Sequence, residues 1–446
     1  MENKKEFYRG MLAIAIPIAL QNLIVSSLNT LDTMMISNLG PEAIAGVGLA
    51  NQVFFFFTMV VFGTATGSSV MIAQYHGRDD YPSLQKVNAL SNIIAMGTAL
   101  VFMFCAFFIP HEIIGLMIDD PAVIDSGAQY LRAVAWTYPL TGISFVCGVA
   151  LRSTGNARSP LIGSIVGFIF NAFFNYVLIF GKFGFPALGV VGAALGTIIA
   201  RTAELLVILY AVTRYDSPLY GPIKEMLNFK KEFIQRYMKV TVPVIINETL
   251  WGLGQVMYSV AYAMVGTNET AAIQVVVALQ NLTFVLIRGL GNACTVILGN
   301  AIGKGLMDRV YPYAIRFLKM GAYIALIIGL FISLLPQIGL LLFPSLTPEV
   351  YQLCLTLLRY MGVIFILKAL NSILIVGVLR GGGDTKFSLF LEMGSVWFVG
   401  VPLAFMGAAL WHLPIQWVVI LASTEEITKL SIGLLRVKSK KWIHEI

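Results

Sequence analysis

A carboxylate inside an otherwise apolar run of chain is expensive to keep away from water, so the chemistry of this sequence is sought first at Asp32. Asn29 and Thr33 are its polar neighbours, and no basic residue stands close in sequence to neutralise it. Such a group is suited to taking up and releasing a cation. Asn171 and Asn175 stand four apart in a second apolar run, so on a helix their amide oxygens converge on one point. Thr197, at comparable depth in a third run, adds a hydroxyl. One carboxylate, two amide oxygens and a hydroxyl are hard oxygen ligands of the kind sodium favours, and the carboxylate alone can carry a proton. The competing role for the two asparagines is hydrogen bonding between helices.

The second half of the chain offers a different set. Glu248 and Lys368 fall near mid-membrane when ~1.5 Å per residue is counted from the ends of their runs, which predicts a buried ion pair. Arg288 is a candidate for substrate selection, against a snorkelling or ion-paired arginine. Trp251 and Tyr258, with Met257, Tyr262 and Phe54 to Phe57, are candidates for an adaptable substrate cavity, although packing against lipid is the commoner use of such side chains. Arg201 and Glu204, three apart, and Glu425 and Glu426 read as structural pairing. Cys105, Cys147, Cys294 and Cys354 have no CxxC spacing and read as small core residues. His76, His111, His412 and His444 are too scattered for a metal centre or an imidazole-based catalytic site, so no enzyme is indicated. No phosphate-binding loop occurs, because Gly381-Gly382-Gly383-Asp384-Thr385-Lys386 has the wrong spacing; no cofactor is expected, and the energy must come from an ion gradient.

These residues need elements that hold them in lipid. Of 446 residues 58% are hydrophobic and only 12% charged, which excludes an ordinary soluble domain. Apolar runs of about twenty residues, each long enough to cross ~30 Å of hydrocarbon, recur from end to end. Twelve are expected, over 12–37, 45–73, 88–110, 127–150, 160–181, 188–212, 238–264, 271–300, 314–342, 350–378, 387–409 and 414–436, numbered below as spans 1 to 12. The stretch from Gly321 to Leu335 is apolar on nearly every face, so helices rather than an alternating barrel are implied. Lys and Arg crowd one set of loops (Arg78, Lys86, Arg152, Arg158, Lys224, Lys230, Lys231, Lys304, Arg309, Arg380, Lys386), whereas the opposite set carries Glu42, Glu112, Asp119, Asp120, Asp125, Glu269 and Glu349. By the positive-inside rule both termini lie in the cytoplasm of a cell with an inner membrane. The basic residues form no aromatic-interleaved patch, so the net charge of +7 reflects topology and not nucleic acid. The N-terminal run lacks a cleavage signature and is expected to be a retained span.

The two halves resemble each other at a shift of about 226 residues. Ile16-Pro17-Ile18 faces Val242-Pro243-Val244, Leu39-Gly40 faces Val265-Gly266, and Gly77-Arg78 faces Gly303-Lys304. Leu151-Arg152-Ser153-Thr154-Gly155-Asn156 faces Leu379-Arg380-Gly381-Gly382-Gly383-Asp384. Six spans per repeat insert both copies the same way up, so we expect an all-α membrane protein of twelve transmembrane helices in two parallel six-helix lobes, 1–212 and 238–446, joined by a linker at 213–237. Pro17 and Pro243 are repeat-related and suggest a shared hinge in spans 1 and 7, while Pro139 and Pro402 are further kink sites.

In their order and repetition, these landmarks, together with Leu31-Asp32-Thr33-Met34-Met35, resemble the multidrug and toxic compound extrusion family, over essentially the whole chain. The resemblance implies proton- or sodium-driven export of small organic compounds through two lobes that alternate their access. It puts Asp32, Asn171, Asn175 and Thr197 on positions similar to the cation site of the family's first lobe. Some members carry aspartate where this chain has Asn175, which leaves the ion open between sodium and proton. Members with a carboxylate site in the second lobe have acids where Trp251 and Ala369 stand here, so that site is not carried over. The related flippases of lipid-linked precursors are the alternative function. The expected partners are a small-molecule substrate and membrane lipid, with the chain acting as a monomer.

Overall fold

The structure is a computed structural model, and it describes all residues except 1–3, 38, 40, 344, 345 and 446. Each apolar run is a helix, because a helix closes its backbone N–H and C=O groups on itself and needs no water to do so. Span 1 is Lys4–Ser37, span 2 Pro41–Gly77, span 3 Tyr81–Phe108, span 5 Arg158–Phe180 and span 6 Gly189–Thr213. Span 7 is Lys231–Ala263, span 8 Thr267–Gly303 and span 9 Met307–Leu334. The protein is thus an all-α membrane protein of twelve transmembrane helices, and the other four spans are interrupted.

Span 4 consists of Pro121–Val134 and Thr137–Ser153, bent by 54° at the break, with Pro139 in the first turn of its second piece. Span 10 runs from Pro348 and its last two turns, Ile373–Arg380, are π-helical. Span 11, Thr385–Leu410, widens to π geometry at Val396–Gly400 and Met406–Leu410 on either side of Pro402. Proline supplies no N–H and crowds the carbonyl one turn back, and a widened turn relieves both problems. Span 12 is Ile415–Ala422 and Thr424–Lys438, broken at Ser423. Among the described residues nine helices are long and apolar enough to cross alone, and the bent pair makes a tenth. Spans 7 and 12 are the more polar remainder, and the site chemistry below explains their charge.

The chain divides into two compact units, Leu20–Ile245, and Met1–Ala19 together with Ile246–Ile446. Both divisions fall inside a helix, a short way past Pro17 and past Pro243. In the unit Leu20–Ile245 the core gathers around Phe57, which is fully buried edge-to-face on Tyr138 with ring centroids 4.8 Å apart. Phe102 completes this aromatic group, so Phe57 is core and faces neither lipid nor a cavity. Cys147, Cys294 and Cys354 are buried as expected, whereas Cys105 is exposed on its helix. In the other unit Phe7 at the start of span 1 packs on Tyr313 and Phe317 of span 9.

The repeated motifs resolve into turns. Gly155 and Gly383 sit at φ +88 and +91, a left-handed conformation that a side chain would strain. The residues after the two glycines differ in use: the Asn156 carboxamide oxygen accepts from the backbone N–H of Ser159 at the start of the next helix, whereas Asp384 accepts from Arg436 of span 12 at 2.8 Å. Within 213–237 a short helix, Ile223–Met226, forms, and Gln85 of span 3 donates to the carbonyls of Pro218 and Tyr220.

Candidate functional site

Spans 5 and 6 approach each other closely because span 6 has Gly192 and Gly196 four apart on one face. A β-carbon at Gly196 would stand 3.0 Å from the backbone nitrogen of Asn175 and closer still to its side-chain oxygen. That absence of side chain lets two buried asparagines of span 5 lie against span 6. Asn175 Nδ2 donates to Asp32 Oδ1 at 2.6 Å and to Asn171 Oδ1 at 3.1 Å, and Asn171 Nδ2 reaches Thr197 Oγ1 at 3.4 Å. Thr197 in turn donates to the carbonyl of Ala193. Asp32, Asn175, Asn171 and Thr197 therefore form one hydrogen-bonded chain across three spans. Asn171 and Asn175 are buried, 1% and 0% exposed, and Asn175 Oδ1 has no partner among the described residues. An orphan acceptor beside a carboxylate is what a bound cation, or a proton on that carboxylate, would satisfy. The side chains of Asn29 and Thr33, and residue Gly40, lie outside the described residues.

Sequence reasoning missed Tyr130. Its buried ring stands beside Asp32, Thr197 and Arg201, delivered by the first piece of the bent span 4. No spacing rule links Tyr130 to Asp32; only the bend does. A second polar chain runs beside the first. Arg152 donates to Gln21 at 2.7 Å, Gln21 to Ser164 at 3.0 Å, Ser164 to Glu204 at 3.1 Å, and Arg201 pairs with Glu204 at 2.8 Å as the three-residue spacing predicted. Gln21, which with Asn22 places two adjacent amides in an apolar run, was the available signal. Ser164, Asn171, Thr197, Arg201 and Glu204 share one cleft with Ile24, Val25 and Leu28 of span 1.

In the unit containing Ile246–Ile446 the expected pair is corrected. Glu248 is bound by Arg380, whose Nη1 donates to it at 2.5 Å, and not by Lys368. Lys368 stands twelve positions earlier on span 10, about 18 Å along a helix, so it belongs to another layer. Counting residues from span ends misjudged the depth because span 7 begins seven residues before the apolar run and Arg380 reaches inward on a long stem. Arg380 also binds Glu392 at 3.2 Å. Lys368 is half-buried, and Arg288 is exposed with its guanidinium 5.9 Å from the ring centre of Phe284. Tyr258 is buried and donates to Glu425 at 2.5 Å, while Trp251 packs half-buried on the cluster around Tyr258, Val396 and Val418.

The arrangement Arg152 to Gln21 in one unit and Arg380 to Glu248 in the other repeats at the sequence shift, and comparison with known proteins meets the same repeat. The MatE family profile matches residues 17–177 and again 243–406. Probable multidrug resistance protein NorM of Thermotoga maritima is 24% identical, with 99% of this chain and 94% of that protein aligned. Probable multidrug resistance protein YoeA of Bacillus subtilis is 27% identical over 91% of this chain and 88% of its own. Among solved structures, one described as the outward-facing conformation of a multidrug resistance MATE family transporter of the MOP superfamily superposes with TM-score 0.88 at 20% identity, covering 97% of this chain and 96% of that one. That likeness carries the twelve-helix, two-lobe fold. Two profile matches offset by the chain's own repeat, together spanning well over half its length, show that the chain belongs to the MatE family of multidrug and toxic compound extrusion transporters.

Proposed function

We propose that the chain is a secondary antiporter that exports small organic compounds in exchange for a monovalent cation taken up at Asp32. The observation that carries this reading is the buried chain from Asp32 through Asn175 and Asn171 to Thr197, with Asn175 Oδ1 left as an acceptor without a donor among the described residues. Sodium would gain four oxygen ligands there, and a proton would turn Asp32 into the donor that Asn175 lacks. The relatives named as multidrug resistance proteins support an organic substrate. A lipid-linked precursor would ask for a strongly cationic cavity to hold its phosphates. The buried charge beyond span 6 is instead rich in carboxylates, Glu248, Glu392, Glu425 and Glu426, which favours the antiporter.

The test is substrate-dependent counterflow in proteoliposomes, with ethidium as an amphipathic organic probe and separate imposed gradients of sodium and of protons. Efflux should follow one of the two. If sodium is the ion, it should also raise the melting temperature in detergent relative to potassium, by the linkage between binding and folding, and Asn175→Ala should shrink that shift. Efflux indifferent to both gradients would end the reading. We further propose an inner-membrane location with both termini cytoplasmic, supported by the Lys and Arg excess in one set of loops. Terminal tags should resist protease added outside intact spheroplasts and be cut after lysis; cleavage in intact spheroplasts would reverse the assignment.

A further inference from the structure

Two bases of the unit containing Ile246–Ile446 are left over once its buried ion pairs are drawn. Arg380 takes Glu248 and Glu392, and Lys429 takes Glu425 and Glu426. Arg288 of span 8 and Lys368 of span 10 have no ion-pair partner among the described residues. Counting ~1.5 Å per residue, they lie about 22 and 18 Å from the cytoplasmic ends of their helices. A charge at such depth is costly against lipid tails, so an unpaired one calls for a use and for a face that opens on water.

Spans 8 and 10 run side by side in a register that their contacts fix. Cys354 donates to the carbonyl of Ala272 and Thr295 to the carbonyl of Val376, partners 82 and 81 positions apart. Between these, Phe284 meets Phe365 edge-to-face with ring centroids 5.7 Å apart, and Gly291 lies beside the carbonyl of Ser372, both at the same offset as Thr295 and Val376. At that offset Arg288 is level with Ala369. Arg288 and Lys368 therefore stand in one layer, a turn beyond the contact of Phe284 with Phe365. Gly377, where a β-carbon would stand 2.9 Å from that of Cys294, keeps the two helices close just past this layer.

The charge of this pair is balanced at a distance and not met in place. Four carboxylates, Glu248, Glu392, Glu425 and Glu426, equal in number the four bases Arg380, Lys429, Arg288 and Lys368. Glu248 is within electrostatic range of Arg288, yet its hydrogen bond goes to Arg380 at 2.5 Å. The unit thus carries both bases without a net positive charge while leaving their donors unmet. Arg288 is exposed and rests its guanidinium 5.9 Å from the ring centre of Phe284, the weak negative face that a cation takes when no anion is beside it. Lys368 is half-buried. A guanidinium fork grips a carboxylate with two parallel hydrogen bonds, and an ammonium beside it adds a compact point charge.

We propose that Arg288 and Lys368 together bind the anionic group of the exported compound, so that the substrates include amphipathic organic acids with one anionic head on an apolar body. Transport of such a compound rests on the antiporter reading; its binding does not. The probes are pyrenebutanoate and its uncharged counterpart pyrenebutanol, titrated into the purified protein in a nonionic detergent and read by pyrene anisotropy after correction for partition into micelles. Wild type should bind the carboxylate at least roughly tenfold more tightly than the alcohol, the scale of a charge-assisted hydrogen bond. The double variant Arg288→Gln with Lys368→Met should bring that ratio to about one, and Lys368→Arg, which keeps the charge, should retain most of it. Lys368→Met should melt no lower than wild type, because an unpaired base contributes no attraction to folding. Equal affinity for the two probes in wild type, a preference that survives the double variant, or a marked loss of melting temperature in Lys368→Met would overturn the proposal. A dissolved acid and an anionic lipid share this chemistry: displacement of the probe by a small mole fraction of phosphatidylglycerol, and not by phosphatidylcholine, identifies the lipid as occupant, and its absence identifies the acid. Pyrenebutanoate that binds with the expected preference but moves under neither a sodium nor a proton gradient would count against the antiporter reading and leave the site standing.

Discussion

Asp32→Asn is expected to leave a folded, correctly inserted protein whose gradient-driven efflux falls to that of empty proteoliposomes. Asparagine keeps the shape and can still bond Asn175, but it can neither carry a proton nor neutralise a cation. The size of the loss follows from the energy available. Moving one charge across 100 mV is worth about 2.3 kcal/mol, so exchange of one cation for a neutral substrate sustains a gradient of roughly 50-fold. Without the carboxylate that ratio should collapse to unity while downhill equilibration continues. The measurement is steady-state accumulation in inverted vesicles with an imposed potential. Wild-type accumulation by Asp32→Asn, at equal amounts of protein in the membrane, would remove Asp32 from the coupling step.

Much of this fold was legible because lipid enforces a simple rule. A run such as Gly321 to Leu335 has no other way to satisfy its backbone, so all twelve expected spans are helical, several extended at their ends and four interrupted. The repeat was legible because its landmarks are turn glycines: Gly155 and Gly383 share one left-handed conformation, which no other residue adopts as cheaply. Helical spacing likewise sufficed for Asn171 with Asn175 and for Arg201 with Glu204.

What the sequence hid was azimuth and reach. Depth along a helix can be counted, but the count says nothing of which neighbour a side chain turns toward. Tyr130 comes to Asp32 through a 54° bend whose angle no residue pattern specifies. Glu425 and Glu426 read as structural pairing, and Lys429 on their own helix meets them at 3.0 and 3.6 Å, yet their further partners Tyr258 and Asn371 come from spans 7 and 10. The mistaken partner for Glu248 came instead from depth, since span 7 begins seven residues before its apolar run and a count from that run's end pointed to Lys368 in place of Arg380, twelve positions further along span 10.

That correction sets the second large effect. Arg380 is 3% exposed and holds two carboxylates, so Arg380→Met should leave Glu248 buried without its counter-charge. Breaking a buried pair from one side typically costs on the order of 3–5 kcal/mol, because the remaining charge keeps its desolvation penalty and loses its attraction. Glu248→Gln should cost less, since Glu392, already 3.2 Å from Arg380, remains to neutralise the guanidinium. The double variant Glu248→Gln with Arg380→Met should then be more stable than Arg380→Met alone, a non-additivity that a double-mutant cycle reads directly from unfolding in mixed micelles. Lys368→Met supplies the control: it should combine additively with Glu248→Gln, because the two residues lie in different layers. Strong coupling between Glu248 and Lys368, with additive behaviour between Glu248 and Arg380, would show that the pairing in the membrane is the one expected from depth alone.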